Sequence, residues 1–138
     1  MIGMRFLDTN ILLYSISCAA AEDRKRGVAI GLLDQDDWVL SVQVLQEFYV
    51  QATRVSRPDP IPHEVAAGLV RTWLRFRVQG ITVAVMRGAL EIKATHDFSY
   101  WDSAIISAAR ASGCLEIYSE DLSHGREVEG ITIFNPFR

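Results

Sequence analysis

Four acidic residues, Asp8, Glu47, Asp102 and Asp121, stand where a polypeptide can use them for chemistry. Asp8 ends a short apolar run at 4–7 and opens Asp8-Thr9-Asn10, three residue types that favour helix starts. Asp121 follows another apolar run at 115–118, Asp102 opens an amphipathic stretch at 102–111, and Glu47 lies about one turn into a second at 42–54. Ionised carboxylates held together raise one another's pKa, and a divalent cation relieves the conflict. An all-oxygen donor set suits a hard ion such as Mg²⁺ or Mn²⁺, and the chemistry such an ion supports here is phosphodiester hydrolysis. Singly, each acid has a plainer explanation. Asp8 can cap a helix, Asp102 has capping-box spacing from Ser99, Glu47 shares a face with Gln43 and Gln51, and Asp121 can serve a turn. Only the combination points to chemistry.

The acids can meet if short buried strands alternate with helices. Apolar runs at 4–7, 38–40, 81–85, 115–118 and 131–134 read as strands, the one at 81–85 because it is rich in β-branched residues and follows Gly80. Helical spacing covers 21–33, 42–54, 63–78, 86–95 and 102–111, the last ending at Gly113. Pro58, Pro60 and Pro62 mark a loop between two of these helices. This alternation predicts an α/β fold, a three-layer sandwich with a mainly parallel central sheet. Ligands bind such sheets at the carboxyl ends of the strands, where Asp8 and Asp121 fall, where Asp102 begins its helix and near which Glu47 lies one turn into its own.

With 138 residues, 49% hydrophobic, the chain suits one domain over 1–138. No apolar run approaches the roughly 20 residues that span a bilayer, and the N-terminus has no signal-peptide pattern. Cys18 and Cys114 form no metal or disulfide motif, so a reducing cytoplasm is expected. The net charge of −3 is unusual for a nucleic-acid protein, yet basic residues cluster at Arg24-Lys25-Arg26, at Arg54 and Arg57, and at Arg71, Arg75 and Arg77. The plain reading of any one cluster is a solvated face.

Four segments together resemble the PIN-domain nucleases and, within them, the VapC-type toxins of toxin–antitoxin pairs. They are Phe6-Leu7-Asp8-Thr9-Asn10-Ile11-Leu12, Val44-Leu45-Gln46-Glu47-Phe48, Tyr100-Trp101-Asp102-Ser103-Ala104 and Tyr118-Ser119-Glu120-Asp121-Leu122. Their order, spacing and the chain length all agree with the family. The resemblance implies an endoribonuclease using Mg²⁺ or Mn²⁺, with Asp8, Glu47, Asp102 and Asp121 as metal ligands and water activators. Thr9, Asn10 and Ser119 would be supporting or substrate-contacting polar groups, Glu120 would lie outside the ligand set, and His124 could touch phosphate or simply be a surface histidine. It also implies a homodimer and a small antitoxin partner, whose groove would lie between the helices flanking the proline loop. Two alternatives differ in class. A haloacid-dehalogenase-type phosphatase would need a second aspartate where Asn10 stands, and a catalytically silent PIN-like module would only bind RNA or protein.

Overall fold

The computed structural model describes residues 5–138; Met4, expected to open the first strand, lies outside them. In chain order the elements are β1 (Arg5–Leu7), α1 (Thr9–Ser15), α2 (Asp23–Leu33) after a single 3₁₀ turn, β2 (Trp38–Ser41), α3 (Val42–Thr53), α4 (His63–Trp73), β3 (Arg77–Gln79), α5 (Val83–Thr95), α6 (Tyr100–Ala111), β4 (Glu116–Tyr118), β5 (Glu127–Val128) and β6 (Ile131–Phe134). The strands form one sheet in the order β3-β2-β1-β4-β6-β5. All neighbours are parallel except β5 with β6. Helices α1 to α4 pack among themselves, while α5 packs on α6, which lies against β2, β3 and β4. This is the expected α/β/α sandwich.

Coverage of both sheet faces explains why the strands read as continuous apolar runs. Phe6, Leu7, Val39, Leu40 and Ile117 are fully buried. Phe48 of α3 meets Trp73 of α4 edge-on at 4.7 Å, which fixes the helix that carries Glu47. Where β1 and β2 begin, Arg5 stacks over Trp38 at 4.0 Å and pairs with Asp37. The Trp38 indole N–H donates to the Leu32 carbonyl at 2.6 Å.

Three sequence expectations need correction. The helix expected over 63–78 ends at Trp73, and its last residues turn back so that Arg77–Gln79 joins the sheet beside β2. No strand forms at 81–85: Ile81 and Thr82 lead into α5, whose first residues are 83–85. Thr82 caps that helix by accepting from the Val85 N–H at 3.1 Å, and local capping with packing on α6 outweighs β-branched propensity. Strand β5 escaped notice because it is two residues long. It is closed onto β6 by Glu129-Gly130, both at positive φ, the geometry of a tight two-residue hairpin.

Helices α5 and α6 approach closely at Gly88, where a Cβ would collide with the Ser107 hydroxyl, itself donating to the Val85 carbonyl at 2.7 Å. Gly88→Ala is therefore expected to destabilise the protein by about 1–3 kcal/mol. Adding Ser107→Ala removes the colliding oxygen and should recover much of that loss. A double-mutant cycle from urea unfolding reads the coupling, and strictly additive effects would contradict the assigned contact.

Candidate active site

The chain crosses from β1 to β2 and β3 on one side, then returns to place β4 on the other side of β1. The carboxyl ends of β1 and β4 thus flank the topological switch point, where open α/β sheets form their binding crevice. Leu7 is paired with Tyr118, so the residues that follow, Asp8 and Ser119, meet directly. The Asp8 N–H continues the ladder to the Tyr118 carbonyl at 3.0 Å.

Asp8 is buried at the carboxyl end of β1. It is 5% exposed, caps α1 by accepting from the Thr9 N–H at 2.7 Å, and accepts from the Ser119 hydroxyl at 2.7 Å through its other oxygen. Burial pushes its carboxyl up to about 6; the two hydrogen bonds oppose that rise, and the charges of Glu47 and Asp121 add to it. Asp102, in the first turn of α6, is half-buried below the Ser99 cap, whose hydroxyl accepts from the Asp102 N–H at 3.1 Å. Its pKa is raised chiefly by burial, opposed by a hydrogen bond with Ser99 and reinforced by the charges of Asp121 and Glu47. The charges of Glu47 and Asp121 thus act on both Asp8 and Asp102. The capping role of Asp8 and the first-turn position of Asp102 are real, so the structural and chemical readings of these residues coexist.

Thr9 donates its hydroxyl to Glu47 Oε1 at 2.6 Å, and the Gln43 amide donates to Oε2 at 3.2 Å. The same Gln43 amide also donates to the carbonyl of Trp101, a side chain 63% exposed beside Asp102. Asn10 donates to Asp121 Oδ2 at 3.0 Å and accepts from the Glu120 N–H at 3.3 Å. Ser119 Oγ also accepts from the backbone N–H of Asp121 at 3.2 Å. Thr9, Asn10 and Ser119 thus each touch one or more of the acids. Gln43 was visible in sequence only as a neighbour of Glu47 on a helix face.

Glu120 points elsewhere, pairing with Lys25 and accepting from Tyr14 at 2.5 Å. His124 accepts through Nδ1 from the Asn135 N–H at 2.9 Å and tilts against Phe134, which is local structure near the carboxyl end of β6. Among the described residues, no three His, Cys, Asp or Glu side chains converge into a ready-made metal cage. The donor chemistry nevertheless fits a hard cation that keeps part of its water shell, with several carboxylates around one buried Asp. An apolar groove of about 780 Å³ lies between α3 and α4, lined by Leu45, Tyr49, Val70 and Leu74 with Arg71 at its edge. It coincides with the groove expected beside the proline loop. No helix among the described residues is long and apolar enough to cross a membrane.

Comparison with known proteins agrees with this geometry. Among solved structures, VapC20 of Mycobacterium tuberculosis, a sarcin-ricin loop cleaving toxin, is 24% identical, with 85% of this chain and 89% of that chain covered at a TM-score of 0.67. A toxin–antitoxin complex from Klebsiella pneumoniae contains a chain 15% identical, with 96% and 97% covered at a TM-score of 0.71. FitAcB from Neisseria gonorrhoeae gives 16% identity, 97% and 99% coverage and a TM-score of 0.70. A search of curated protein sequences found no match. The PIN domain family model matches residues 5–126, the stretch that runs from β1 past all four acids, and the chain belongs to that family.

Proposed function

We propose that this chain is a divalent-metal-dependent endoribonuclease and the toxin of a toxin–antitoxin pair. The observation that carries the reading is the buried Asp8 carboxyl, pushed up to about 6 by burial and by the charges of Glu47 and Asp121, which act on Asp102 as well. Such a group is unfavourable as a structural element and useful as a cation ligand. The similarity to a toxin that cleaves the sarcin-ricin loop supports RNA as the substrate class. Similarity to chains from toxin–antitoxin complexes supports an antitoxin partner. The apolar groove between α3 and α4 is the proposed seat of that antitoxin, and a homodimer, one domain over the whole chain and a cytoplasmic location complete the reading.

In this mechanism Asp8, Glu47, Asp102 and Asp121 would hold Mg²⁺ or Mn²⁺. When bound, such an ion supplies positive charge against the phosphate and Lewis acidity toward its oxygens. Ser119 and the Thr9 N–H fix both Asp8 oxygens, while Thr9 and Gln43 fix those of Glu47. Asn10 orients Asp121 at the solvent edge. Half-buried Glu47 and Asp102 are the groups placed to take the proton of an attacking water as it approaches phosphorus.

The test is cleavage of total cellular RNA by the purified chain. Mg²⁺ or Mn²⁺ should give discrete fragments, and chelator should abolish them. Cleavage that survives chelation would rule out the metal reading, and no cleavage of any RNA would favour a silent binding module. Co-purification with the product of an adjacent short reading frame checks the toxin assignment.

A further inference from the structure

Two cations beside the acids have no side-chain partner among the described residues: Arg54, exposed next to Glu47, and Arg57, which alone has a shielded, unpaired Nε. The first basic cluster is engaged: Lys25 pairs with Glu120, Arg26 with Asp23, and Arg24 donates to the Phe137 carbonyl at 2.9 Å. Arg75 donates to the Leu33 carbonyl at 2.8 Å and lies over the Phe76 ring. Arg57, by contrast, forms no side-chain hydrogen bond or ion pair among the described residues, and its Nε is shielded from solvent without an acceptor. A shielded N–H in that condition is unfavourable and calls for an explanation.

Its surroundings supply one. Arg57 borders a polar pocket of about 240 Å³ with Asn10, Tyr14, Glu22, Glu120 and Asp121. The pocket's carboxylates already have donors: Asn10 serves Asp121, Tyr14 and Lys25 serve Glu120, and Ser17 serves Glu22. Arg57 is therefore counterion to none of them, and turning its guanidinium toward a ligand breaks no hydrogen bond. The backbone carrying it is anchored to the Glu47 helix and the residue that follows it. The Arg57 N–H donates to the Arg54 carbonyl at 3.0 Å, and beyond the prolines the Ile61 N–H donates to the Ala52 carbonyl at 3.0 Å. A planar fork of donors takes a carboxylate or a phosphate in bidentate fashion, and since the nearby carboxylates already have donors, the phosphodiester of the proposed substrate is the anion left for it.

We propose that Arg57 is a phosphate-recognising residue of this site, taking a non-bridging oxygen of the RNA strand that lies across Asp121. This rests on the ribonuclease reading. The proline loop is then more than a spacer, because it delivers a positive charge beside Asp121, where an acidic site must hold a polyanion.

The role is tested by placing Arg57→Ala and Arg57→Lys in the Asp8→Asn background, where the strand stays uncut. Binding of an unstructured labelled oligoribonucleotide is then measured across a range of KCl concentrations. Arg57→Ala should weaken binding about tenfold and reduce the slope of log Kd against log salt by about 0.7, the signature of one lost single-strand phosphate contact. Arg57→Lys should retain the slope and lose affinity several-fold, since an ammonium keeps the charge without the fork. If Arg57→Ala does not fold by circular dichroism, Arg57→Lys carries the test, and unchanged affinity in it overturns the proposal. Unchanged affinity and slope in a folded Arg57→Ala protein would overturn it while leaving RNA cleavage by the unsubstituted chain intact. Absence of any RNA cleavage by the unsubstituted chain would instead remove the reading beneath it.

Discussion

Asp8→Asn is expected to make the metal-free protein more stable at pH 7.5 while lowering RNA cleavage about a thousandfold or more. The Asp8 carboxyl moves from its ordinary 3.8 to about 6 on folding, because burial penalises its charge. The folded chain therefore binds more protons than the unfolded chain between those pH values. Stability falls as pH rises through that window, and the full penalty is present above it. At about 1.4 kcal/mol per pH unit the displacement corresponds to roughly 3 kcal/mol. An amide of the same shape avoids that penalty but cannot accept through its nitrogen, so it loses one of the two hydrogen bonds of Asp8 at a cost of about 1 kcal/mol. A melting temperature higher by about 3–8 °C is the net expectation at pH 7.5. Near pH 4 the advantage should vanish, since the native carboxyl is then protonated in the fold. Added Mn²⁺ should reverse the order by stabilising the native chain and not the variant. A variant less stable than the parent at pH 7.5 without metal would contradict the assigned environment of Asp8.

Such a trade between stability and chemistry explains what could be read from the residues alone. Asp8, Asp102 and Asp121 were legible because each sits at a boundary that local chemistry marks: a strand end or a helix start. Glu47 was legible through the amphipathic period of α3. The parallel sheet followed from apolar runs too short and too uniformly buried for any other arrangement. What escaped was set by tertiary contact. Residues 81–85 are rich in strand-forming side chains, yet the Thr82 cap and packing on α6 make 83–85 the first turn of a helix. Residues 77–79 continue a helical pattern, yet β2 offers an open edge and captures them. Gln43 and Arg57 looked like ordinary surface polarity, because what matters is the neighbour each meets or lacks across the fold. The pairing of Ser119 with Asp8 spans 111 positions, and it depends on β4 lying beside β1.

Ser119→Ala should show how far the buried Asp8 carboxylate depends on that one hydroxyl. Ser119 is fully buried, donates to Asp8 and accepts from the backbone N–H groups of Asp121 and Leu122 at 3.2 and 3.4 Å. Removing it strips a donor from a buried carboxylate and an acceptor from two N–H groups, which should destabilise the fold by about 1–3 kcal/mol. The more diagnostic effect is on protons. The Ser119 hydrogen bond lowers the Asp8 pKa, so its loss lets Asp8 keep its proton above the native value of about 6. Protons and metal compete for that carboxylate. The acid limb of the cleavage profile should therefore move to higher pH, and the Mn²⁺ concentration for half-maximal activity near neutral pH should rise about 10–100-fold, as expected for a residue that positions a ligand. Raising pH or Mn²⁺ should restore much of the rate, since Ser119 itself touches neither substrate nor water in this role. A uniform loss of activity across pH and metal concentration would mean that Ser119 only supports the fold, and the hydrogen bond to Asp8 would then have no part in setting when the site can hold its ion.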